Sequence, residues 1–193
     1  MIRQADINED MRAILVDWLV QVHREFCLVP ETLYLCTNTI DRYCSIADIS
    51  ITKLQLVGIA SLFLASKYEE IYYPDVKNYV SYRACSHQEF LEMEMTILQV
   101  LNWRMSIPTA YHFLDRFLSL TKALPMTRQA VTYYLEQTLL EHDLLKYCPS
   151  MVCASVIILA LANPDIPKHE KKYQHKLSEM ASVRNYIYVY IMI

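Results

Sequence analysis

Histidine and cysteine side chains that could bind a metal or act as nucleophiles are few and poorly spaced in this chain. His23 and Cys27 lie four residues apart, on one face of a predicted helix, but no second pair at metal-ligand spacing accompanies them. Cys148 and Cys153 are five residues apart, a spacing that does not fit a CxxC site. An α-helical thiol or metal enzyme stays open as an alternative. The pattern favours a protein without catalytic residues, and we expect no cofactor.

The composition argues against several other kinds of site. The chain has 193 residues and a single glycine, Gly58, so it lacks the glycine-rich loops that bind phosphates and dinucleotides. Its net charge of −3 argues against a nucleic-acid partner, which requires clustered basic residues. The longest apolar run, Met151 to Ala162, is shorter than the roughly twenty residues that span a bilayer. We therefore expect a soluble intracellular protein with no nucleic acid and no membrane as partner.

Several charged residues lie at positions where a helix alone does not accommodate them. Arg12 falls between two apolar stripes of the first helix, so it needs a carboxylate partner within the fold. Glu94 lies in the middle of an apolar helix face. An acidic residue at such a position either pairs with a basic residue inside the core or faces another protein. Lys67 suits the end of the third helix, where it could simply extend to water. Glu69 and Glu70 do not suit that end, which suggests a partner outside the chain.

Helical periodicity and capping residues predict the elements that carry these side chains. Ser86 and Glu89 have the spacing of a capping box, as do Thr52 and Gln55. No stretch alternates with period two for long enough to predict a strand, although 186–193 is locally ambiguous. The sequence predicts an all-α fold in two halves, 1–106 and 107–193. The predicted helices run from about residue 8 to 28, 31–46, 52–70, 74–82, 86–101, 108–121, 126–145 and 149–163, with a weaker segment from 168.

The first helix carries an apolar stripe that borders polar residues. The stripe includes Met11, Ile14, Leu15 and Trp18. Because Gln21 and Glu25 flank it, part of the stripe could reach the surface, and the alternative is a core helix buried on two sides. On the third helix, Gly58 permits a neighbouring helix to approach closely.

Five motifs, taken in order, resemble the cyclin box. They are MRAILVDWLV (11–20), IDRY (40–43), LQLVG (54–58), ASKYEE (65–70) and MEM (93–95). The resemblance covers residues 3 to 120 and is closest to mitotic B-type cyclins, then to A-type cyclins. It implies tandem cyclin-box helical bundles. The last two helices of the family are not recognisable beyond Asn163, so we expect the second box to be incomplete or divergent.

The resemblance implies a regulatory subunit that binds and activates a cyclin-dependent protein kinase, as a heterodimer, in cell-cycle control at G2/M. In cyclins, the residues that match Lys67 and Glu94 meet at the surface that binds the kinase, and Tyr68 and Glu69 extend this predicted surface. ATP and magnesium would belong to the kinase, so the chain itself is expected to be no enzyme and to hold no metal. Such a protein would be found in the nucleus and the cytoplasm.

Two further groups of residues follow from the resemblance. Arg12 and Asp41 match an internal ion pair, which would supply the carboxylate that Arg12 needs. Gln21 replaces an acidic residue of A-type cyclins, so we expect weaker selection for an arginine. The patch that docks Arg-x-Leu motifs of substrates and inhibitors matches Met11, Ile14, Leu15, Trp18, Gln21, Leu54 and Gln55.

Two departures from the family keep other functions open. The helix that precedes the first box has no counterpart in this sequence, and Tyr73 stands where the family often has proline. A degenerate cyclin that binds a kinase without activating it is one alternative. A cyclin-fold transcription adaptor is another, but it would require a basic surface facing DNA, which the net charge of −3 disfavours.

Overall fold

The computed structural model describes residues 4–82, 85–121 and 125–162 and divides the chain into two units, Met1–Ile107 and Pro108–Ile193. No strand occurs in the described residues, and the all-α prediction is confirmed. No helix within these ranges combines the length and the apolar character that crossing a membrane requires. The first unit contains α1 (Glu9–Glu25), α2 (Pro30–Ile46), α3 (Ile51–Glu69), α4 (Val76–Val80) and α5 (His87–Val100). The second contains a 3-10 turn (Ala110–Phe113), α6 (Leu114–Thr121), α7 (Pro125–Gln137), a second 3-10 turn (His142–Lys146) and α8 (Pro149–Ala162).

Several local predictions are wrong, and the segment predicted from residue 168 onward lies outside the described residues. The helix predicted over 126–145 ends at Gln137. The buried residue Leu144 belongs to a separate 3-10 turn and not to a continuation of this helix. The helix α3 begins at Ile51, after Ser50, so Thr52 does not cap it. Pro74 lies outside α4, because the Asp75 side chain accepts the hydrogen bond from the backbone N–H of Lys77. The capping box at Ser86 is present.

The helix α3 is the central element of the first unit. It contacts α1, α2, α4 and α5, and every residue from Leu56 to Ser66 is buried. A helix that is apolar on all sides must be surrounded by other elements, which explains this position. The charged residues and the exposed polar residues of α3 therefore lie near its two ends, where Gln55 and Lys67 are exposed.

The helix α1 packs closely on α3 at Gly58. A Cβ atom at this position would lie 2.7 Å from Leu15 Cδ1, which is closer than side chains normally approach. The absence of a side chain at Gly58 therefore leaves room for the Leu15 side chain between the two helices. The expected close approach of a neighbouring helix is confirmed.

An aromatic cluster holds the end of α3 against α4 and α5. The ring of Phe63 lies 5.1 Å from that of Tyr79 and 5.5 Å from that of Phe90, measured between centroids. The Tyr79 hydroxyl donates a hydrogen bond to Ser66 Oγ at 2.9 Å. Burial raises the pKa of Tyr79 to about 12, so the hydroxyl keeps its proton and remains a donor at neutral pH.

Two helices end in left-handed turns that contain no glycine. Cys27 has a φ of 52°, and Asn102 and Trp103 have φ values of 51° and 58°. At the end of α1, the backbone N–H of Leu28 donates to the carbonyl of His23, and that of Cys27 donates to the next carbonyl, Arg24. This pair of hydrogen bonds is a Schellman cap, whose left-handed position is normally glycine. It ends α1 at Glu25, three residues before the predicted end at Leu28.

Replacing Cys27 with glycine should stabilise the chain. Cys27→Gly removes the Cβ that disfavours the left-handed conformation, and we expect the free energy of unfolding to rise by about 1 kcal/mol. The Cys27 side chain is exposed, so little packing is lost. Urea unfolding followed by circular dichroism measures the change. Cys27→Ala, which removes the thiol but keeps the Cβ, is the control, and equal stability of the two variants would contradict the prediction.

Candidate functional site

A lysine and a glutamate meet where the end of α3 lies against α5. Lys67 Nζ donates a hydrogen bond to Glu94 Oε1 and lies 4.5 Å from the centroid of the Phe63 ring. The Glu94 side chain is 11% exposed and that of Lys67 is 33% exposed. The pair satisfies the buried carboxylate, and it also holds the ammonium at a fixed place on the surface. Because an ammonium has three N–H groups, Lys67 can also donate to a carbonyl oxygen of another chain.

Large apolar side chains are exposed within five residues of Lys67 along the chain. Tyr68 is 50% exposed, and Ile71 and Tyr72, just beyond the end of α3, are 89% and 93% exposed. Glu69 is half-buried. Exposed aromatic and aliphatic groups around a fixed charge are typical of protein-binding surfaces. The sequence analysis included Tyr68 and Glu69 but missed Ile71 and Tyr72, whose signal was an apolar run in a segment too short for a core helix.

Glu70 has its partner inside the chain. Its Oε1 accepts hydrogen bonds from the backbone N–H of Val29 and from the hydroxyl of Thr32, each at 2.7 Å. Val29 is the N-cap of α2 and supplies no capping side chain of its own. Glu70 therefore provides the acceptor and the negative charge that favour the start of a helix. The suggestion that Glu70 contacts a partner outside the chain is wrong, because α2 provides the partner.

A buried ion pair joins α1 to α2. Arg12 Nε donates to Asp41 Oδ1 at 2.6 Å, and Arg12 Nη2 donates to Asp41 Oδ2 at 2.8 Å. The Arg12 side chain is 1% exposed. The two parallel hydrogen bonds provide the geometry and the charge compensation that a buried guanidinium requires. The structure thus brings together the two residues that the family resemblance pairs.

A groove between α1 and α3, with a volume of about 260 Å³, contains most of the predicted docking patch. Ile14 is 70% exposed at its edge, whereas Leu15 and Leu54 are buried at its floor. Such a groove can accept an apolar side chain of a short peptide. Its lining consists of Met11, Ile14, Leu15, Trp18, Ile51, Leu54 and Gln55.

Gln21 is the predicted patch residue that does not line this groove. It lies one turn beyond Trp18 on α1, and its Nε2 donates to Asp17 Oδ2 at 3.3 Å. Ile51 lines the groove although the sequence analysis omitted it. The signal for Ile51 was its position three residues before Leu54, which places both on one face of α3. The structure therefore adds one residue to the patch and places Gln21 beside it.

Of the histidine and cysteine residues considered for catalysis, His23 and Cys153 are buried, as is Cys44, whereas Cys27 and Cys148 are exposed. His23 Nε2 donates to the backbone carbonyl oxygen of Val29 at 2.9 Å. Burial, followed by the charge of Asp41, raises the pKa of Cys44 to about 12, and burial raises the pKa of Cys153 to about 12. Thiols with such pKa values stay protonated at neutral pH, whereas a nucleophile or metal ligand must be a thiolate. Among the described residues, no group of three His, Cys, Asp or Glu side chains could hold a metal.

Comparison with known families and proteins accounts for both halves of the chain. Residues 1–106 match the family model of the cyclin N-terminal domain, and residues 108–184 match that of the cyclin C-terminal domain. Cyclin-B1-3 of Arabidopsis thaliana is 45% identical over 159 residues, which cover 81% of this chain and 38% of that protein. The G2/mitotic-specific cyclin S13-7 of Glycine max is also 45% identical over 159 residues, with 81% and 62% covered. The chain thus spans only part of the length of these relatives.

The fold is also similar to that of a solved structure. The crystal structure of a viral cyclin from herpesvirus saimiri superposes with a TM-score of 0.82 at 21% sequence identity. The match covers 93% of this chain and 80% of the viral protein. At this level of identity the similarity concerns the fold. The match of residues 108–184 to a family model also extends beyond Asn163, further than the family's motifs were recognised in the sequence.

Removing the carboxylate of the Arg12–Asp41 pair should destabilise the first unit strongly. Asp41→Asn keeps the size of the side chain but leaves a buried guanidinium without its counter-charge, and we expect a loss of about 3 kcal/mol in the free energy of unfolding. Urea unfolding measures this loss. The control is Asp48→Asn, which changes an exposed carboxylate just beyond α2. Equal stabilities of the two variants would show that the buried pair contributes little.

Proposed function

The chain belongs to the cyclin family, and we propose that it is the regulatory subunit of a cyclin-dependent protein kinase that acts at G2/M. The observation that carries this proposal is the Lys67–Glu94 pair at the end of α3, where the chain continues into the exposed apolar side chains of Ile71 and Tyr72. The similarity to relatives named as G2/mitotic-specific cyclins supports the place in the cell cycle. The proposed complex is a heterodimer located in the nucleus and the cytoplasm.

The proposed mechanism is conformational. A protein kinase is active when the lysine of its strand β3 pairs with the glutamate of its C-helix and its activation loop is ordered. The surface around Lys67 would hold the C-helix in the active position, with the ammonium donating to kinase carbonyl oxygens and Tyr68 and Ile71 packing beside it. Binding raises activity only if this surface prefers the active kinase conformation. The kinase supplies ATP, magnesium and every catalytic group.

We further propose that the groove between α1 and α3 docks Arg-x-Leu motifs of substrates and inhibitors. Its apolar floor of Leu15 and Leu54 suits the leucine of such a motif. The amides of Gln21 and Gln55 provide neutral polar groups at the edge. Asp17 is an exposed carboxylate on α1 that accepts a hydrogen bond from Gln21, and we expect selection for the arginine to depend on its negative charge.

Substitutions in the ion pair should abolish kinase activation. Histone phosphorylation by a purified mitotic cyclin-dependent kinase is measured with and without the chain, together with co-elution of the two proteins. We expect Lys67→Ala and Glu94→Ala each to lower the stimulation at least about ten-fold, because both remove a fixed charge from the centre of the interface. Lys67→Ala is the cleaner variant, since the lysine is partly exposed and contributes less to the core.

The matched controls for this assay are Lys77→Ala and Glu92→Ala. Both residues are exposed, and Glu92 lies on the same helix as Glu94. We expect them to leave the stimulation unchanged. Co-elution without stimulation by the unsubstituted chain would identify a cyclin that binds without activating. Stimulation by Lys67→Ala as strong as by Lys77→Ala would contradict the proposed role of the ion pair.

Gly58→Ala should weaken peptide docking while leaving the fold and kinase activation intact. The new methyl group displaces the flexible end of Leu15, which lies at the floor of the groove. Alanine is favoured over glycine in a helix by about 1 kcal/mol, which offsets the lost packing. We expect the affinity for a fluorescent Arg-x-Leu peptide to fall several-fold, as measured by anisotropy.

The control for Gly58→Ala is Ser61→Ala on the same helix. It removes a buried hydroxyl that has no hydrogen-bond partner among the described residues, and it does not touch the groove. We expect unchanged peptide affinity for this variant. If both variants bind the peptide as well as the unsubstituted chain, the groove is not the docking site.

A further inference from the structure

A cationic and aromatic surface lies at the end of α5, outside the two sites described above. Arg42, on α2, donates a hydrogen bond from Nη1 to the backbone carbonyl oxygen of Arg104 at 2.8 Å. Arg104 follows the end of α5, and its side chain is exposed. Trp103, next to it in the sequence, is 61% exposed. The contact between α2 and this turn therefore places two arginines and an exposed indole in one small region of the first unit.

The positive charge of this region is not neutralised within the described residues. Neither Arg42 nor Arg104 forms a salt bridge with a carboxylate there, although the chain as a whole has a net charge of −3. Burial lowers the pKa of Arg42, and the nearby charge of Arg104 lowers it further. Two like charges that are brought together favour binding of an anion, because the anion removes their repulsion.

The backbone holds Trp103 in an unusual conformation. Its φ of 58° is rare for a bulky side chain. The turn is fixed by hydrogen bonds from the Trp103 N–H to the Leu98 carbonyl at 2.9 Å and from the Met105 N–H to the Trp103 carbonyl at 3.1 Å. The indole is thus presented to solvent by a defined turn. An exposed indole has an apolar face and one N–H donor, the combination found where aromatic residues bind peptides.

We propose that Arg42, Arg104 and Trp103 form a docking site for a phosphoserine- or phosphothreonine-containing segment of a partner protein. A phosphate dianion matches two guanidinium groups in charge and in its ability to accept paired hydrogen bonds. Arg42 is already oriented by its bond to the Arg104 carbonyl, so less side-chain freedom is lost on binding. The indole of Trp103 packs against the residue next to the phosphorylated one.

The test uses the full chain and a fluorescein-labelled peptide, Gly-Ala-phosphoSer-Ala-Gly, with anisotropy as the readout. Two otherwise identical peptides carry serine or glutamate in place of phosphoserine. We expect the phosphorylated peptide to bind at least about ten-fold more tightly than either, because only the dianion engages both guanidinium groups. Equal binding of the phosphorylated and serine peptides, or equal binding of the phosphorylated and glutamate peptides, would overturn the proposal.

Variants then assign the binding to this surface. Arg104→Gln, which changes an exposed side chain, should lower the affinity for the phosphorylated peptide about ten-fold, and Trp103→Ala should lower it several-fold. Lys77→Gln removes an exposed positive charge from α4 and should leave the affinity unchanged. Equal affinities of Arg104→Gln and Lys77→Gln would overturn the proposal. Kinase stimulation by Arg104→Gln should be normal, so this site and the proposed kinase surface succeed or fail separately.

Discussion

The complete burial of α3 is the constraint on which the rest of the first unit depends. Every residue from Leu56 to Ser66 is buried, so other helices must surround this segment, and the charged residues of α3 are confined to its ends. One end contributes Leu54 and Gln55 to the groove with α1, and the other contributes Lys67 to the ion pair with α5. Both candidate binding surfaces thus include residues of the same buried helix, which explains how the core fixes their positions.

The scarcity of glycine shapes the same unit in a second way. The single glycine is used where α1 and α3 pack closely, so it does not serve to end a helix. The left-handed positions that end α1 and α5 are occupied by Cys27 and by Asn102 and Trp103, at a cost in backbone free energy. At α5 this cost has a structural consequence, since the turn that carries it also exposes the indole of Trp103.

Features encoded within one helix could be predicted from the sequence, whereas features that depend on contacts between distant segments could not. The misfit of Arg12 and Glu94 on apolar faces indicated that each needs a partner. Helical spacing placed the docking residues of α1 on one stripe, whereas those of α3 were indicated only by the family resemblance. Glu70 was misinterpreted because its partners, Val29 and Thr32, are about forty residues away along the chain and belong to a helix start that lacks its own cap. No periodicity within α3 contains that information.

The ion pairs Arg12–Asp41 and Lys67–Glu94 differ in how far the basic residue is exposed, and this difference suits the first pair to a structural role and the second to binding. The guanidinium of Arg12 is buried and donates hydrogen bonds to both carboxylate oxygens of Asp41. The charges of this pair compensate each other inside the protein, and the pair joins α1 to α2. Lys67 pairs with the buried carboxylate of Glu94, but its own side chain is one-third exposed, so some of its N–H groups can donate to a partner protein. A buried acid with a partly exposed base therefore fixes a charge at the surface without the entropy cost of ordering a free lysine, and this preorganisation is what a protein interface requires.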